Sequence, residues 1–210
     1  MRYEFRIWPG DATPFIEDMQ TVFAYNGREK RTDTYLLAPD RNDLLPKIRG
    51  ADQLDIKQCL SVDSSGVEKW EVIVAETFPV SPGTKNWLRE MFPGLQKSQA
   101  AFRNVGDFLE AVSGAAEIYT VEKSRRLYCC NQCKAEVTRV TVNASSFNTV
   151  ALECDDREML KRFMHKLNFN GYRNIHYGVA LRELYLEAPY SRLYDAQDKR
   201  RFDNPGRVGW

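Results

Sequence analysis

Histidine is scarce in this chain, with only His165 and His176, and its five cysteines are an odd number containing a single C-x-x-C, Cys130 to Cys133. A structural zinc site asks for four ligands, and Cys154 and His165 are the nearest further candidates. The run Cys129-Cys130-Asn131-Gln132-Cys133 reads instead as a hairpin turn with Asn131 and Gln132 at its tip. An odd cysteine count fits a reducing compartment better than a disulfide framework. A thiol enzyme using Cys130 would be thinly supplied with an imidazole partner; His165 reads as a surface helix residue and His176 as a loop residue. No apolar run approaches the roughly 18–20 residues that cross a bilayer, and the first residues, MRYEFRIWPG, lack the apolar centre of a signal peptide. The expectation is a cytoplasmic protein with no membrane partner. Excess charge of one sign is missing too: 30 Lys and Arg stand against 29 Asp and Glu, a net charge of +1. That balance argues against broad nucleic-acid binding, and no sequence-specific nucleic-acid partner is expected, although a local basic cavity is compatible with it. No internal repeat or low-complexity tract is present.

What remains is an ordinary globular composition, 43% hydrophobic and 28% charged over 210 residues, enough for one domain with its own core. Tyr3, Phe5 and Ile7 alternate with Arg2, Glu4 and Arg6, the period of a strand with one apolar and one charged face. Pro9-Gly10 stops it, and Pro14 opens a short helix, PFIEDMQTVFAYN, predicted to end near Asn26-Gly27. Short strands follow in TDTYLLA, LPKIRG, QLDIKQCLS and KWEVIVAET, separated by turns near Gly50 and at Asp63-Ser64-Ser65-Gly66. Helical periodicity appears in TKNWLREMF and VGDFLEAVSG. Strands return in AEIYTVEKSRRLYCC, KAEVTRVTVN and TVALECDD, and Asp155 or Asp156 caps a helix, DREMLKRFMHKLNF. Tyr177 to Glu187 reads as a last strand or helix. The predicted organisation is a domain over residues 1–188 and a polar extension over 189–210, whose Lys199-Arg200-Arg201 run reads as solvated surface. The tryptophans read as packing residues.

Charged residues recur two apart: Lys47 and Arg49, Lys123 and Arg125, Glu153 and Asp155, with Arg2 and Arg6 flanking Glu4. That spacing puts both members of a pair on one face of a strand, where two cations can grip one anion. Neighbouring carboxylates repel unless a cation neutralises them. Strands closing into a barrel would bring these groups into one cavity suited to a polyphosphate, with hard divalent ions bridging carboxylate and phosphate oxygens.

In order, these motifs resemble those of the CYTH superfamily, the triphosphate tunnel metalloenzymes. RYEFRI stands where that family has its E-x-E-x-K strand. LPKIRG and LDIKQCL resemble its R-x-R and T-x-K strands, KWEVIVAE its glutamate-bearing fourth strand, EKSRRLY its K-x-R strand, KAEVTRV the glutamate strand that follows, and VALECDD its E-x-E strand. The resemblance spans residues 1–187. It implies an α+β fold, mainly antiparallel β: an eight-stranded closed, tunnel-like β-barrel with flanking helices. It also implies hydrolysis of inorganic or nucleoside triphosphates with Mg2+ or Mn2+. The alternative is a non-catalytic polyphosphate- or nucleotide-binding protein of the same fold. Carried over by position, Glu4, Glu136, Glu153 and Asp155 would be metal ligands. Arg2, Arg6, Lys47, Arg49, Lys57, Lys123 and Arg125 would bind phosphate, and Glu153 and Lys57 would be catalytic. Glu71 matches a tunnel carboxylate without an assigned role. The chain departs from the family pattern at Arg2, where a glutamate is usual, at Arg6 in place of lysine, at Asp155 in place of glutamate, and at Val140 in place of aspartate. These exchanges make the site more anion-binding and less metal-binding. The sequence leaves the organic part of the ligand and the oligomeric state open.

Overall fold

Period-two alternation sets the architecture, with the usual sides reversed: the apolar faces of the strands point out under helices and the charged faces point in. The structure, a computed structural model, describes residues 1–39, 41–97 and 102–186. Eight strands run β1 (Arg2–Ile7), β2 (Ala24–Leu37), β3 (Leu44–Arg49), β4 (Gln53–Val62), β5 (Glu68–Thr77), β6 (Glu117–Cys130), β7 (Cys133–Val142) and β8 (Ser145–Cys154). They form one closed barrel in the order β1-β5-β4-β3-β2-β6-β7-β8, every pairing antiparallel, so no strand edge is left open. Among the described residues five α-helices accompany them: α1 (Thr13–Val22), α2 (Pro82–Met91), α3 (Val105–Val112), α4 (Arg157–Lys166) and α5 (Tyr177–Leu186). No helix among the described residues is long and apolar enough to cross a membrane. The 189–210 segment lies outside the described residues.

Two helical layers cover the outside. Phe5 and Ile7 of β1 pack against Phe15 and Met19 of α1 and Leu160 and Met164 of α4, together with Phe169. Leu54 and Ile56 of β4 pack against Leu88 and Met91 of α2 and Phe108 and Val112 of α3. Each of these side chains contributes about 1.5–3 kcal/mol by leaving water. The helix starts follow local chemistry: Ser81, Asn104 and Asp156 accept from Thr84 N, Asp107 N and Met159 N. Asp156 therefore caps α4, which leaves Asp155 free for the barrel.

Two elements differ from expectation. α1 stops at Val22, because Phe23 turns extended and packs on Phe163 of α4, ring centroids 4.7 Å apart. The polar run that follows is the first part of a 14-residue strand, β2, paired along most of its length with β6, with a register shift around Gly27, whose φ of 107° suits glycine. The second concerns the cysteines. Asn131 and Gln132 do form the hairpin tip, but Cys133 and Cys154, partners across β7 and β8 with Cα atoms 4.2 Å apart, form a disulfide. Cys59, Cys129 and Cys130 are free thiols.

The segment before α5 closes the barrel's seam. β1 pairs with β5 only from Arg2 to Glu4, and beyond that the chain at Asn174-Ile175 takes over. Asn174 accepts from Arg6 N at 2.6 Å and donates to Gly66 O at 2.8 Å, while Ile175 N donates to Arg6 O at 2.8 Å. From there Ile175, Tyr177, Ala180 and Leu181 fill one end of the barrel, packed among Trp8, Tyr35, Tyr119, Val121, Val140 and Phe147. Val140, where the family pattern has aspartate, faces this apolar end. Replacing Asn174 with alanine strands two backbone groups, and the expected cost is about 1–3 kcal/mol in urea unfolding with an unchanged slope.

Candidate functional site

The inward faces enclose a cavity of about 430 Å³ on whose wall stand eight basic and three acidic side chains. Of the sequence-predicted residues, Glu4, Arg6, Lys47, Arg49, Lys57, Lys123, Arg125, Glu136 and Glu153 line it. Arg2 and Asp155 sit at its open rim, reaching it through Glu153: Arg2 Nη1 lies 3.3 Å from Glu153 and Arg2 Nε 3.1 Å from Asp155. At the opposite end Tyr177 of α5 forms a floor, its ring 4.0 Å from Lys123 Nζ, 4.6 Å from the Arg6 guanidinium, and stacked on Tyr35 at 5.2 Å.

Between rim and floor the charges form two knots. In the first, Arg6 Nη2 meets Glu4 at 3.3 Å and its Nη1 meets Glu136 at 2.9 Å. Lys57 Nζ reaches Glu4 at 3.2 Å, and Arg125 Nε donates to Glu136 at 2.9 Å while its Nη1 pairs with Glu29. Burial alone would raise Glu4, but Lys57 and Arg6 bring it down to about 2. Burial likewise opposes ionisation of Glu136, and Arg6 and Arg125 hold it well below the usual carboxylate range. In the second knot the fully buried Asp33 carboxylate is shared by Lys123 at 2.8 Å, Lys47 at 3.3 Å and Arg31 at 2.8 Å. Arg31 is shared with Glu29 at 3.0 Å, so two carboxylates face the three cations; burial, only partly offset by Asp33, lowers Lys47 to about 8, and burial with Lys47 alongside pushes Lys123 well below the usual lysine range.

Some of these groups escaped the sequence reading. Arg31, Asp33 and Tyr35 alternate on β2; the expected strand TDTYLLA already held Asp33 and Tyr35 but began one residue past Arg31. Glu71 lies on the outer face of β5, whereas Trp70 and Val72 line the cavity. The interior carboxylate of that strand is Glu68, which accepts from Trp70 Nε1 at 2.9 Å. His176 is a loop residue, as expected, in the stretch just before α5, and is buried beside Trp70 with ring centroids 5.3 Å apart. Its Nδ1 accepts from Gly178 N, and burial lowers it to about 4, so it is neutral near pH 7. His165 is exposed on α4.

The arrangement bears directly on the metal that the motif order implies. All four carboxylates matched to metal roles are ion-paired, Glu153 and Asp155 with Arg2, and Glu4 and Glu136 with Arg6. Among the described residues no group of three or more His, Cys, Asp or Glu side chains is placed to hold a metal ion. With each of these carboxylates already paired to an arginine, the residues present do not fit a divalent cation.

The closed eight-stranded antiparallel barrel with its charge turned inward is the architecture that the ordered motifs imply. The fold is CYTH-like. By sequence the chain matches no family model and no curated protein. Solved structures do resemble it. The PH1012 protein of Pyrococcus horikoshii OT3 matches with a TM-score of 0.50 at 13% identity, over 80% of this chain and 90% of that one. A conserved protein of Pyrococcus furiosus matches at 0.49 and 18% identity, over 80% and 91%. The Hippeastrum protein HpAC1, described by a dominant triphosphatase activity, matches at 0.48 and 10% identity, over 91% and 99%. At 13% identity the likeness to the PH1012 protein speaks for the fold alone.

Glu68 yields a signed test. Burial raises its carboxyl from 4.5 to about 7. Between those values the folded chain keeps a proton that the unfolded chain has released, so this group removes stability as pH rises from about 4.5 through about 7. The expected loss is on the order of 2–3 kcal/mol. It should vanish in Glu68→Gln, read as the difference between the two proteins' urea midpoints across that range.

Proposed function

We propose that the barrel binds the phosphate chain of a triphosphate-bearing small molecule, held by the cations of its interior. The observation that carries this reading is the crowding of cations on the wall, where eight basic side chains stand and three of them, Lys47, Lys123 and Arg31, converge on Asp33, with Arg31 shared by Glu29. Cations packed together in a half-dry cavity raise one another's free energy, and an anion carrying several charges relieves that cost at all of them together. Arg6, Arg125 and Arg31 supply planar forks matched to phosphate oxygens, and Lys47, Lys57 and Lys123 supply point charges. The apolar and aromatic floor made by Tyr35 and Tyr177 limits how far a chain can enter.

Metal-dependent hydrolysis of triphosphate, the activity implied by the order of the motifs, would need carboxylates able to take a magnesium or manganese ion and a water in line. With those carboxylates engaged by arginine and lysine, geometry favours binding over turnover. Titration calorimetry with inorganic tripolyphosphate and with ATP tests the first; phosphate release in magnesium and in manganese tests the second. Binding is expected to weaken about tenfold or more in Lys57→Ala, the loss of one charge-assisted contact. Phosphate release that depends on metal and disappears in both Glu153→Ala and Lys57→Ala would replace this reading with the hydrolase. Affinity also carries a pH signature: Lys47, lowered to about 8 by burial, loses its charge above that value. Tripolyphosphate should therefore bind more weakly at pH 9 than at pH 7, with proton uptake on binding near pH 8, seen as a dependence of the measured heat on buffer ionisation enthalpy.

A further inference from the structure

We infer that the two arginines of β1, Arg2 and Arg6, take the electrostatic place of a divalent cation, so that this barrel holds a phosphate chain without metal. The inference rests on the proposed phosphate binding and specifies what that binding requires. Each guanidinium spans two carboxylates. Arg2 reaches Glu153 at 3.3 Å and Asp155 at 3.1 Å at the rim, and Arg6 joins Glu4 at 3.3 Å to Glu136 at 2.9 Å deeper in. Between them they engage every carboxylate that the motif order assigns to a metal.

A divalent ion seated among the same oxygens would lie within contact range of a fixed positive charge that cannot be discharged, since a guanidinium does not lose its proton in a protein. It would also have to take oxygens whose lone pairs already accept from arginine. A bridging metal neutralises carboxylates; here each guanidinium offsets one of the two charges it spans, and at the inner pair Lys57 on Glu4 and Arg125 on Glu136 supply the rest. Arg6 is 6% exposed and lines the cavity, and its Nε has no partner within the barrel, a charged donor left over for a ligand. Its position two residues beyond Glu4 and four beyond Arg2 sets the pair along one wall, about 13 Å of strand between the two arginines. A short phosphate chain entering at the rim passes both.

Metal in solution then acts on the ligand rather than on the protein. Magnesium bound to tripolyphosphate cancels part of the charge that the arginines recognise, so chelation of the metal should leave binding intact or tighten it.

The test uses the full chain and inorganic tripolyphosphate, titrated in chelator and in magnesium, with Mn2+ binding to the protein alone followed by electron paramagnetic resonance. Expected are a dissociation constant in chelator no weaker than in magnesium, no Mn2+ bound by the wild type, and Mn2+ binding gained in Arg2→Glu, which adds a carboxylate to Glu153 and Asp155. Arg2→Gln serves as the control for folding, expected to lose about tenfold in tripolyphosphate affinity without gaining Mn2+. Tripolyphosphate binding that appears only with metal would overturn the inference and leave the phosphate-binding reading standing. Stoichiometric Mn2+ on the wild type would overturn it as well. No tripolyphosphate binding under any condition would remove both.

Discussion

Asp33 is the point on which the interior depends. Its carboxylate is fully buried on β2 and receives Lys47 from β3, Lys123 from β6 and Arg31 from its own strand. A buried charge without a partner is expensive, and removing one member of such a group costs more than the group contributes as a whole. The three strands are thus bound to one register by charge as well as by their ladders. A slip of one residue would turn Asp33 out under the helices and bring Thr32 or Thr34 to face the lysines. The same logic recurs nearer the rim, where Glu136 of β7 takes Arg6 of β1 and Arg125 of β6. Cross-strand ion pairs do inside this barrel what apolar packing does inside an ordinary one, and the hydrophobic effect works from outside, through α1 and α4 on one flank and α2 and α3 on another.

Much of this was legible in the sequence because spacing by two survives folding. Lys47 with Arg49, Lys123 with Arg125, and Glu4 with Arg6 each share a face whatever the strand pairs with, and the barrel brings them to one cavity. The order of the motifs carried the closed barrel, since no single pair of residues identifies it. What failed to show has a physical reason in each case. The run from Asn26 to Asp33 is polar throughout, so neither its length as a strand nor the inward side of Asp33 could be read without its partner β6. Glu68 and Glu71 both lie on β5 on opposite sides, and choosing between them needs the register that places Glu68 against Glu4. Tyr177 reaches the cavity from the start of α5 and His176 from the loop before it, both late in the chain, and Cys133 finds Cys154 only because β7 and β8 align them. Tertiary register is the common element in all of these, and one sequence does not contain it in any local pattern.

The floor shows how the two halves of the barrel divide their work. On β7 the inward positions run from Lys134 and Glu136 through Thr138 to Val140 and Val142, charged toward the rim and apolar toward α5. β6 does the same in reverse chain direction, from Tyr119 and Val121 to Lys123, Arg125 and Leu127. The transition lies at Lys123, whose ammonium touches Asp33 and the Tyr35 hydroxyl while resting over the Tyr177 ring. Aromatic faces stabilise a cation without neutralising it, so Lys123 is held between Asp33, the Tyr35 hydroxyl and the Tyr177 ring.

That arrangement explains why a chain with almost no net charge can still present a strongly basic interior. The surplus of cations on the wall is offset by acidic groups elsewhere, and the cost of gathering it is visible at Lys47 and Lys123, both lowered by burial despite Asp33. Lys47 and Lys123 both converge on the one Asp33 carboxylate, and the proposed binding of a phosphate chain would offset the cost of gathering them there. Arg49 on the same wall meets Asp55 one to one, so in the proposed binding the phosphate chain would answer to Lys47 and Lys123 more than to Arg49.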